Sequence, residues 1–265
     1  MCHELNLKGR VIFAEEGING TLEGLVEQTE CYMQRSTCEP AFAEVVYKKS
    51  VGTGNAFPKL SIKARSEIVS AHLGERDVYP AVNTGTHLEP EELHEWIRSS
   101  KEFYIVDMRN DYEHAVGHFA GSILPDIQHF RQLPNVLPVL DSLKDKTVVT
   151  VCTGGVRCEK ASGFLVENGF SDVYQLNGGI VTYMERYPAE DFEGALYVFD
   201  GRVTMAFGDN RKVIGRCERC QSPSETYVNC ANSDCNRHFI CCGKCSNVSK
   251  AMYCRDSCFA VPSIA

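Results

Sequence analysis

Cys152 is followed by Thr153, Gly154, Gly155, Val156, Arg157 and Cys158. A thiol, two glycines and a guanidinium packed so closely are the parts of a loop that cradles an anion. Ahead of them, Val148-Val149-Thr150-Val151 is the apolar, β-branched run of a strand buried on both faces. The glycines turn the chain, and residues 158–168 read as a helix that stops at Gly169. A cysteine at the carboxyl end of a parallel strand, facing a helix N-terminus, stands where α/β sheets bind ligands. Inward-pointing N–H groups of the loop, with the cation of Arg157, should lower the thiol pKa and make Cys152 nucleophilic. A buried structural cysteine that happens to end a strand is the plainer alternative. Gly-Gly, an arginine and a helix start directly behind it favour chemistry.

The loop length narrows that chemistry. A cysteine phosphatase cradle needs Cys, five residues and then Arg to wrap a tetrahedral phosphate. Here Arg157 comes after four, and Cys158 stands where that arginine would be. A tighter loop suits a smaller anion, such as a persulfide sulfur. The arrangement resembles the rhodanese active-site loop. Asp107-Met108-Arg109, Glu113 with Gly117-His118-Phe119-Ala120-Gly121-Ser122-Ile123, and Leu176-Asn177-Gly178-Gly179 resemble further rhodanese motifs, in the right order. The resemblance covers residues 82–190 and implies that Asp107 and Arg109 buttress the cysteine loop.

A wider resemblance is carried by Gly9-Arg10-Val11-Ile12-Phe13-Ala14-Glu15-Glu16-Gly17-Ile18-Asn19-Gly20, by Asp107-Met108-Arg109-Asn110-Asp111-Tyr112-Glu113, and by the segment from Cys152 to Ala161. Together these are similar to the tRNA uridine hydroxylases. That resemblance implies oxygen-dependent 5-hydroxylation of the wobble uridine (position 34) of tRNA, with Cys152 essential, molecular oxygen as co-substrate and tRNA as partner. A thiolate could add to C6 of the pyrimidine and activate C5; no flavin, haem or non-haem iron motif is visible. Two other readings stand beside it. One is sulfur transfer from thiosulfate or another persulfide donor through Cys152. The other is a non-enzymatic RNA- or protein-binding module built on the cysteine-rich tail.

Within the loop, Arg157 is expected to face the sulfur, so that Arg157→Ala raises the Cys152 pKa with little effect on melting temperature. Arg109 is expected to tie the loop down through its carbonyls or an acid, so that Arg109→Ala destabilises. His118 reads as a hydrogen-bonded core histidine rather than a general base. Cys158 is either a resolving thiol for an oxidised Cys152 or a small residue packed under the loop.

Nine of the fourteen cysteines lie from Cys217 to Cys258. Cys217 with Cys220, Cys230 with Cys235, Cys242 with Cys245 and Cys254 with Cys258 form four close pairs. Eight thiolates can make two tetrahedral four-cysteine zinc sites, and their softness favours zinc over calcium or magnesium. Few apolar residues lie between the pairs, so the segment needs its metal to fold. Alternating partnership, first pair with third and second with fourth, is the expectation; His238 and Cys241 are spare candidates. An iron–sulfur cluster is the other reading, and the paired spacing favours zinc.

The elements that must position these groups follow from pattern. Residues 1–75 read as a ferredoxin-like, acylphosphatase-like α+β domain: a strand over 10–14, a turn at Asn19-Gly20, a returning strand at 21–23, a helix over 25–35 and a strand over 59–65. In the resembled family a further strand and helix precede these, so the resemblance implies a domain lacking its first strand here. Glu15 and Glu16 read as a solvated hairpin shoulder. Residues 76–90, punctuated by Pro80, Gly85 and Pro90, read as a linker. Glu89-Pro90-Glu91-Glu92 opens a helix whose apolar face is Leu93, Trp96 and Ile97. Strands over 104–106, 122–124, 148–151 and 173–176 alternate with helices, giving an α/β rhodanese domain with a parallel sheet and helices on both faces. Residues 127–140 read as loop and broken helix, and 211–260 as the zinc-binding tail.

The net charge of −8 argues against bulk electrostatic binding to nucleic acid. The last 55 residues nonetheless hold eight Lys/Arg against four Asp/Glu, while the first 210 hold nineteen against thirty-one. A basic tail on an acidic body is compatible with a local RNA-binding surface. No apolar run reaches membrane-spanning length and no charged-then-apolar leader opens the chain, so no membrane partner and a reducing cytoplasm are expected.

Overall fold

The computed structural model describes residues 1–74, 77–208, 211–248 and 253–259, which divide into two compact units. The first comprises Met1–Ser70 and Phe199–Arg202. Strands β1 (Lys8–Ala14) and β2 (Gly17–Glu23) form an antiparallel hairpin, helix α1 (Val26–Thr37) follows, and β3 (Leu60–Ala64) pairs in parallel with β1. The turn falls at Glu15-Glu16, and Asn19 and Gly20 lie inside β2 opposite Ile12 and Val11. Gly17, at φ +135°, reverses the chain before Asn19 is reached. Glu16 is not merely a solvated shoulder: its carboxylate accepts the backbone N–H of Ile68.

The second unit is built on a parallel sheet. Its strands are β4 (Thr86–Leu88), β5 (Tyr104–Asp107), β7 (Thr147–Val151) and β8 (Asp172–Leu176), in the order β4-β8-β7-β5. A short antiparallel pair, β6 (Gly117–Phe119) with β9 (Phe192–Gly194), lies apart from it. The helices are α2 (Pro90–Arg98), α3 (Asp111–His114), α4 (Leu137–Leu140), α5 (Val156–Glu167) and α6 (Gly179–Arg186). Leu88, Leu93, Val149, Val151, Leu176, Ile180 and Tyr183 belong to one core, which leaves β7 central and dry.

Two sequence expectations give way here. The stretch read as a linker supplies β4, an edge strand of the sheet; residue 76 lies outside the described residues. Gly85 is fixed in place. Its N–H donates to Ser162 Oγ at 2.8 Å, its carbonyl accepts from Gln175 Nε2 at 3.1 Å, and a Cβ there would meet the Ser162 Cβ at 2.8 Å. The glycine is required by close approach to α5. The strand expected at 122–124 shrinks to one parallel bridge, Val106 to Ile123, because Pro125 cannot donate to a longer ladder. Residues 127–140 form the expected broken helix, a 3₁₀ stretch (Phe130–Val136) running into α4.

The cysteine-rich tail belongs to the same unit as this sheet. After β10 (Leu196–Tyr197) and β11 (Thr204–Met205), the hairpin of β12 (Tyr227–Asn229) and β13 (His238–Ile240) leads to α7 (Gly243–Val248) and α8 (Asp256–Phe259). Tyr227 donates its hydroxyl to the Tyr112 carbonyl on α3, and Tyr112, Tyr197, Tyr227 and His238 pack ring against ring. Among the described residues no helix is long and apolar enough to cross a membrane.

Candidate active site

Cys152 leaves the end of β7 with 1% of its surface exposed. The neighbouring strand fixes that end: Asp107 is paired with Val151, and the Met108 N–H donates to the Val151 carbonyl at 2.9 Å. Gly155 then takes φ +95° and starts α5 two residues earlier than the sequence pattern indicated, so Arg157 and Cys158 both lie in its first turn. From the other side, Ile180 N–H donates to the Cys152 carbonyl at 2.9 Å and Val181 N–H to that of Thr153 at 3.0 Å. This contact explains the Gly178-Gly179 motif, to which sequence reading gave no role. Gly179 sits at φ +71°, and a Cβ on it would lie 2.5 Å from Gly155 N and 2.7 Å from Cys152 O. Only glycine lets the two loops meet.

The electrostatics favour a thiolate. Burial by itself would raise the Cys152 pKa. The Cys158 thiol hydrogen-bonded to its sulfur, the charge of Arg157, and the N–H groups of Cys158 and Gly155 outweigh burial and bring it down to about 6. Arg157 in turn is held by Glu113, which has no exposed surface. One terminal nitrogen of Arg157 donates to each carboxylate oxygen, the Nη2–Oε2 distance being 2.8 Å, and Nη2 also reaches Thr153 Oγ1 at 3.2 Å. Burial of the guanidinium opposes its charge, but the Glu113 carboxylate more than compensates and keeps Arg157 protonated. Glu113 is the residue sequence reasoning missed. It was visible only as one letter of a resembled motif, because nothing in the sequence shows that α3 delivers it beneath the loop.

Asp107 and Arg109 are both wholly buried and are bonded to each other. Arg109 Nε donates to Asp107 Oδ1 at 2.9 Å, and its Nη2 to Asp107 Oδ2 at 2.6 Å and to the Gly117 carbonyl at 2.7 Å. Of the partners expected for Arg109, the acid is the one found. The pair stiffens the strand end beside Cys152 rather than lining the loop. His118, half-buried, donates its Nδ1–H to the His114 carbonyl at 3.0 Å. Cys158 is fully buried, and the side chains of Cys152 and Thr150 both act on its thiol. It is therefore packed under the loop and close to Cys152.

A second site lies in the tail. The sulfurs of Cys217, Cys220, Cys242 and Cys245 all lie within 4.8 Å of one another, and so do those of Cys230, Cys235, Cys254 and Cys258. First and third pairs thus meet, as do second and fourth. Cys220–Cys242, Cys235–Cys254 and Cys254–Cys258 are each separated by 3.6 Å. A tetrahedral centre with metal–sulfur bonds of about 2.3 Å spaces its sulfurs by about 3.8 Å, so both clusters can hold a metal ion. The spare candidates fall outside: Cys241 is in neither cluster, and His238 pairs its Nδ1 with Asn229 Oδ1 at 2.6 Å.

Three family descriptions match the chain. They are the UPF0176 acylphosphatase like domain over residues 1–68, the Rhodanese-like domain over 89–186 and the Rhodanase C-terminal region over 193–259. A protein of Bacillus cytotoxicus described as a tRNA uridine(34) hydroxylase is 45% identical over 258 residues, 96% of this chain and 78% of that one. A protein of Cytophaga hutchinsonii with the same description is 42% identical over 262 residues, 98% of this chain and 83% of that one.

Proposed function

The chain belongs to the tRNA uridine(34) hydroxylase family, and from that premise we propose that it hydroxylates C5 of the wobble uridine of tRNA, with dioxygen as co-substrate and Cys152 as the reacting thiolate. The observation that carries the reading is a buried cysteine at the end of a parallel strand, inside a glycine-lined loop that also holds Arg157, in a chain similar to these hydroxylases along almost its whole length. Thr153, Gly154, Gly155 and Val156 form the wall of that loop. Arg157 balances the charge of the sulfur, and Glu113 fixes Arg157. Asp107 and Arg109 hold the strand end. Addition of the thiolate to C6 of the uracil would make C5 electron-rich, which is the condition for taking up oxygen there. Cys158 is a further candidate.

The tail is read as two structural zinc sites, since eight cysteine sulfurs at tetrahedral spacing suit that ion. Cysteines 217, 220, 242 and 245 would hold one, and 230, 235, 254 and 258 the other. The excess of basic residues beyond 210 supports a tail that also contacts the tRNA backbone. The expected place of work is the cytoplasm, where free thiols stay reduced.

The test is nucleoside analysis of tRNA from a strain lacking the gene, complemented with the intact gene or with Cys152→Ser. The expected result is loss of 5-hydroxyuridine in the deletion, recovery with the intact gene and none with the serine variant. Loss of a thiolated uridine instead would replace hydroxylation by sulfur transfer. An unchanged nucleoside profile would leave a binding module.

A further inference from the structure

Hydroxylation by dioxygen leaves an oxygen atom to be accounted for. One atom enters the C–H bond; the other must take two electrons and two protons to become water. We infer that Cys152 and Cys158 together are that electron source, closing to a disulfide once per hydroxylation. The inference rests on the hydroxylase reading above.

The geometry points to this pair. Cys152 and Cys158 are 1% and 0% exposed, so neither is open to casual oxidants. Cys152 directly follows β7 and Cys158 lies six residues on in the first turn of α5, behind the same glycine loop, where its thiol and N–H act on the Cys152 sulfur. Cys158 is fixed in that turn, its N–H donating to the Gly155 carbonyl at 2.9 Å. A small residue filling space under the loop would need no thiol. The division of labour is also favourable. Burial, then the hydrogen bond to Cys152 and the charge of Cys152, hold Cys158 protonated well above the ordinary thiol range. Once the Cys152 sulfur is bonded to carbon, its charge and its acceptor role disappear while the cation of Arg157 remains. Cys158 then becomes the more acidic thiol at the stage where it is needed.

The steps balance. The Cys152 thiolate bonds to C6 of uracil and pushes an electron pair onto C5. C5 bonds to dioxygen and, with one proton, carries a hydroperoxide. The Cys158 sulfur attacks the terminal oxygen, the O–O bond breaks, and C5 keeps a hydroxyl while Cys158 becomes a sulfenic acid. Loss of the C5 proton expels Cys152 from C6 and restores the ring. Cys152 then attacks the Cys158 sulfur, water leaves, and the disulfide forms. In sum, uridine, dioxygen and two thiols give 5-hydroxyuridine, water and a disulfide. A dithiol reductant resets the enzyme.

The experiment is a turnover without reductant. Full-length protein is reduced, freed of reductant under nitrogen, mixed with tRNA from a strain lacking the gene, and exposed to air. Trypsin cuts after Arg157, so a Cys152–Cys158 disulfide is read by mass spectrometry as two cross-linked peptides. The expected result is one equivalent of 5-hydroxyuridine per chain with one disulfide per 5-hydroxyuridine, and continued turnover only when a dithiol is added. Cys158→Ala should still be alkylated at Cys152 by iodoacetamide yet yield only background 5-hydroxyuridine. If 5-hydroxyuridine forms while both thiols stay free, or if Cys158→Ala gives an undiminished yield, the inference fails and the hydroxylase reading stands. If no 5-hydroxyuridine forms even with a dithiol present, the hydroxylase reading itself fails and the inference with it.

Discussion

Glu113 and Arg157, 44 residues apart in sequence, face each other carboxylate to guanidinium beneath the Cys152 loop, with Glu113 wholly buried. This pair ties the charge that favours the thiolate to the stability of the domain. Sequence reading expected Arg157→Ala to spare the melting temperature; the structure makes that expectation untenable. Removing one partner of a buried pair strands the other charge and costs about 3–5 kcal/mol. Arg157→Ala should therefore both slow alkylation of Cys152 and lower the melting temperature by several degrees. Glu113→Gln should reproduce the second effect with a smaller first one, since the guanidinium stays. A thermal melt and an iodoacetamide rate on each variant check this; an unshifted melt for Arg157→Ala would contradict it.

Arg109→Ala should be destabilising on the same grounds, about 3–5 kcal/mol, because it leaves Asp107 charged and buried. Arg109→Lys should recover part of that loss, since it keeps the charge without the planar fork that reaches both Asp107 and the Gly117 carbonyl. Chemical denaturation of the two variants beside the parent gives the comparison.

The pH dependence has a definite sign. Cys152 titrates at about 6 in the folded chain, against about 8.5 for an unperturbed thiol. Alkylation of Cys152 should thus reach half its maximal rate near pH 6. The folded state binds fewer protons at this site between the two values, so stability rises with pH across that window. The contribution is fully present above about 8.5 and is lost as pH falls through about 6. Cys158→Ala removes a donor to the thiolate and should move the alkylation midpoint upward. A midpoint that stays put would assign the shift to the backbone and Arg157 alone.

Gly179 and Gly154 make a contrast. A methyl group on Gly179 would run into the backbone of the cysteine loop, whereas nothing lies within 4 Å of one on Gly154. Gly179→Ala should cost about 1–3 kcal/mol through overpacking, with the positive φ adding to it, and should depress Cys152 alkylation. Gly154→Ala should leave the melt unchanged. Equal melts for the two variants would show that the loops separate freely.

Protein purified without chelator should carry about two zinc ions per chain, four thiolates to each. Cys220→Ser should lower the count to about one, and Cys241→Ser should keep two, since Cys241 lies outside both clusters. Removing the metal should expose the β12–β13 hairpin to protease, because the core there is made largely of cysteines. Elemental analysis decides the counts, and iron with visible absorbance would overturn zinc.

Much of this protein is determined by local pattern. The apolar run Val148–Val151, two glycines and a helix start can build only a strand, a tight loop and a helix, and so they place Cys152 at a sheet end. Four cysteine pairs at close spacing mark clusters that could hold a metal ion. What pattern could not supply is long-range. Thr86–Leu88 reads as linker because an edge strand three residues long has too little periodicity, and only its bonds to β8 make it one. Asn19-Gly20 reads as a turn because the dipeptide allows one, yet the register of β1 with β2 keeps it extended. Gly179, Glu113 and the partnership of cysteine pairs depend on approaches across tens of residues. Backbone crowding, burial of a carboxylate and tetrahedral sulfur spacing exist only once the chain has folded. Sequence singled out Cys152 as the candidate thiolate; tertiary structure decided what surrounds its sulfur, because an electrostatic field is a matter of distance in space and not of distance along the chain.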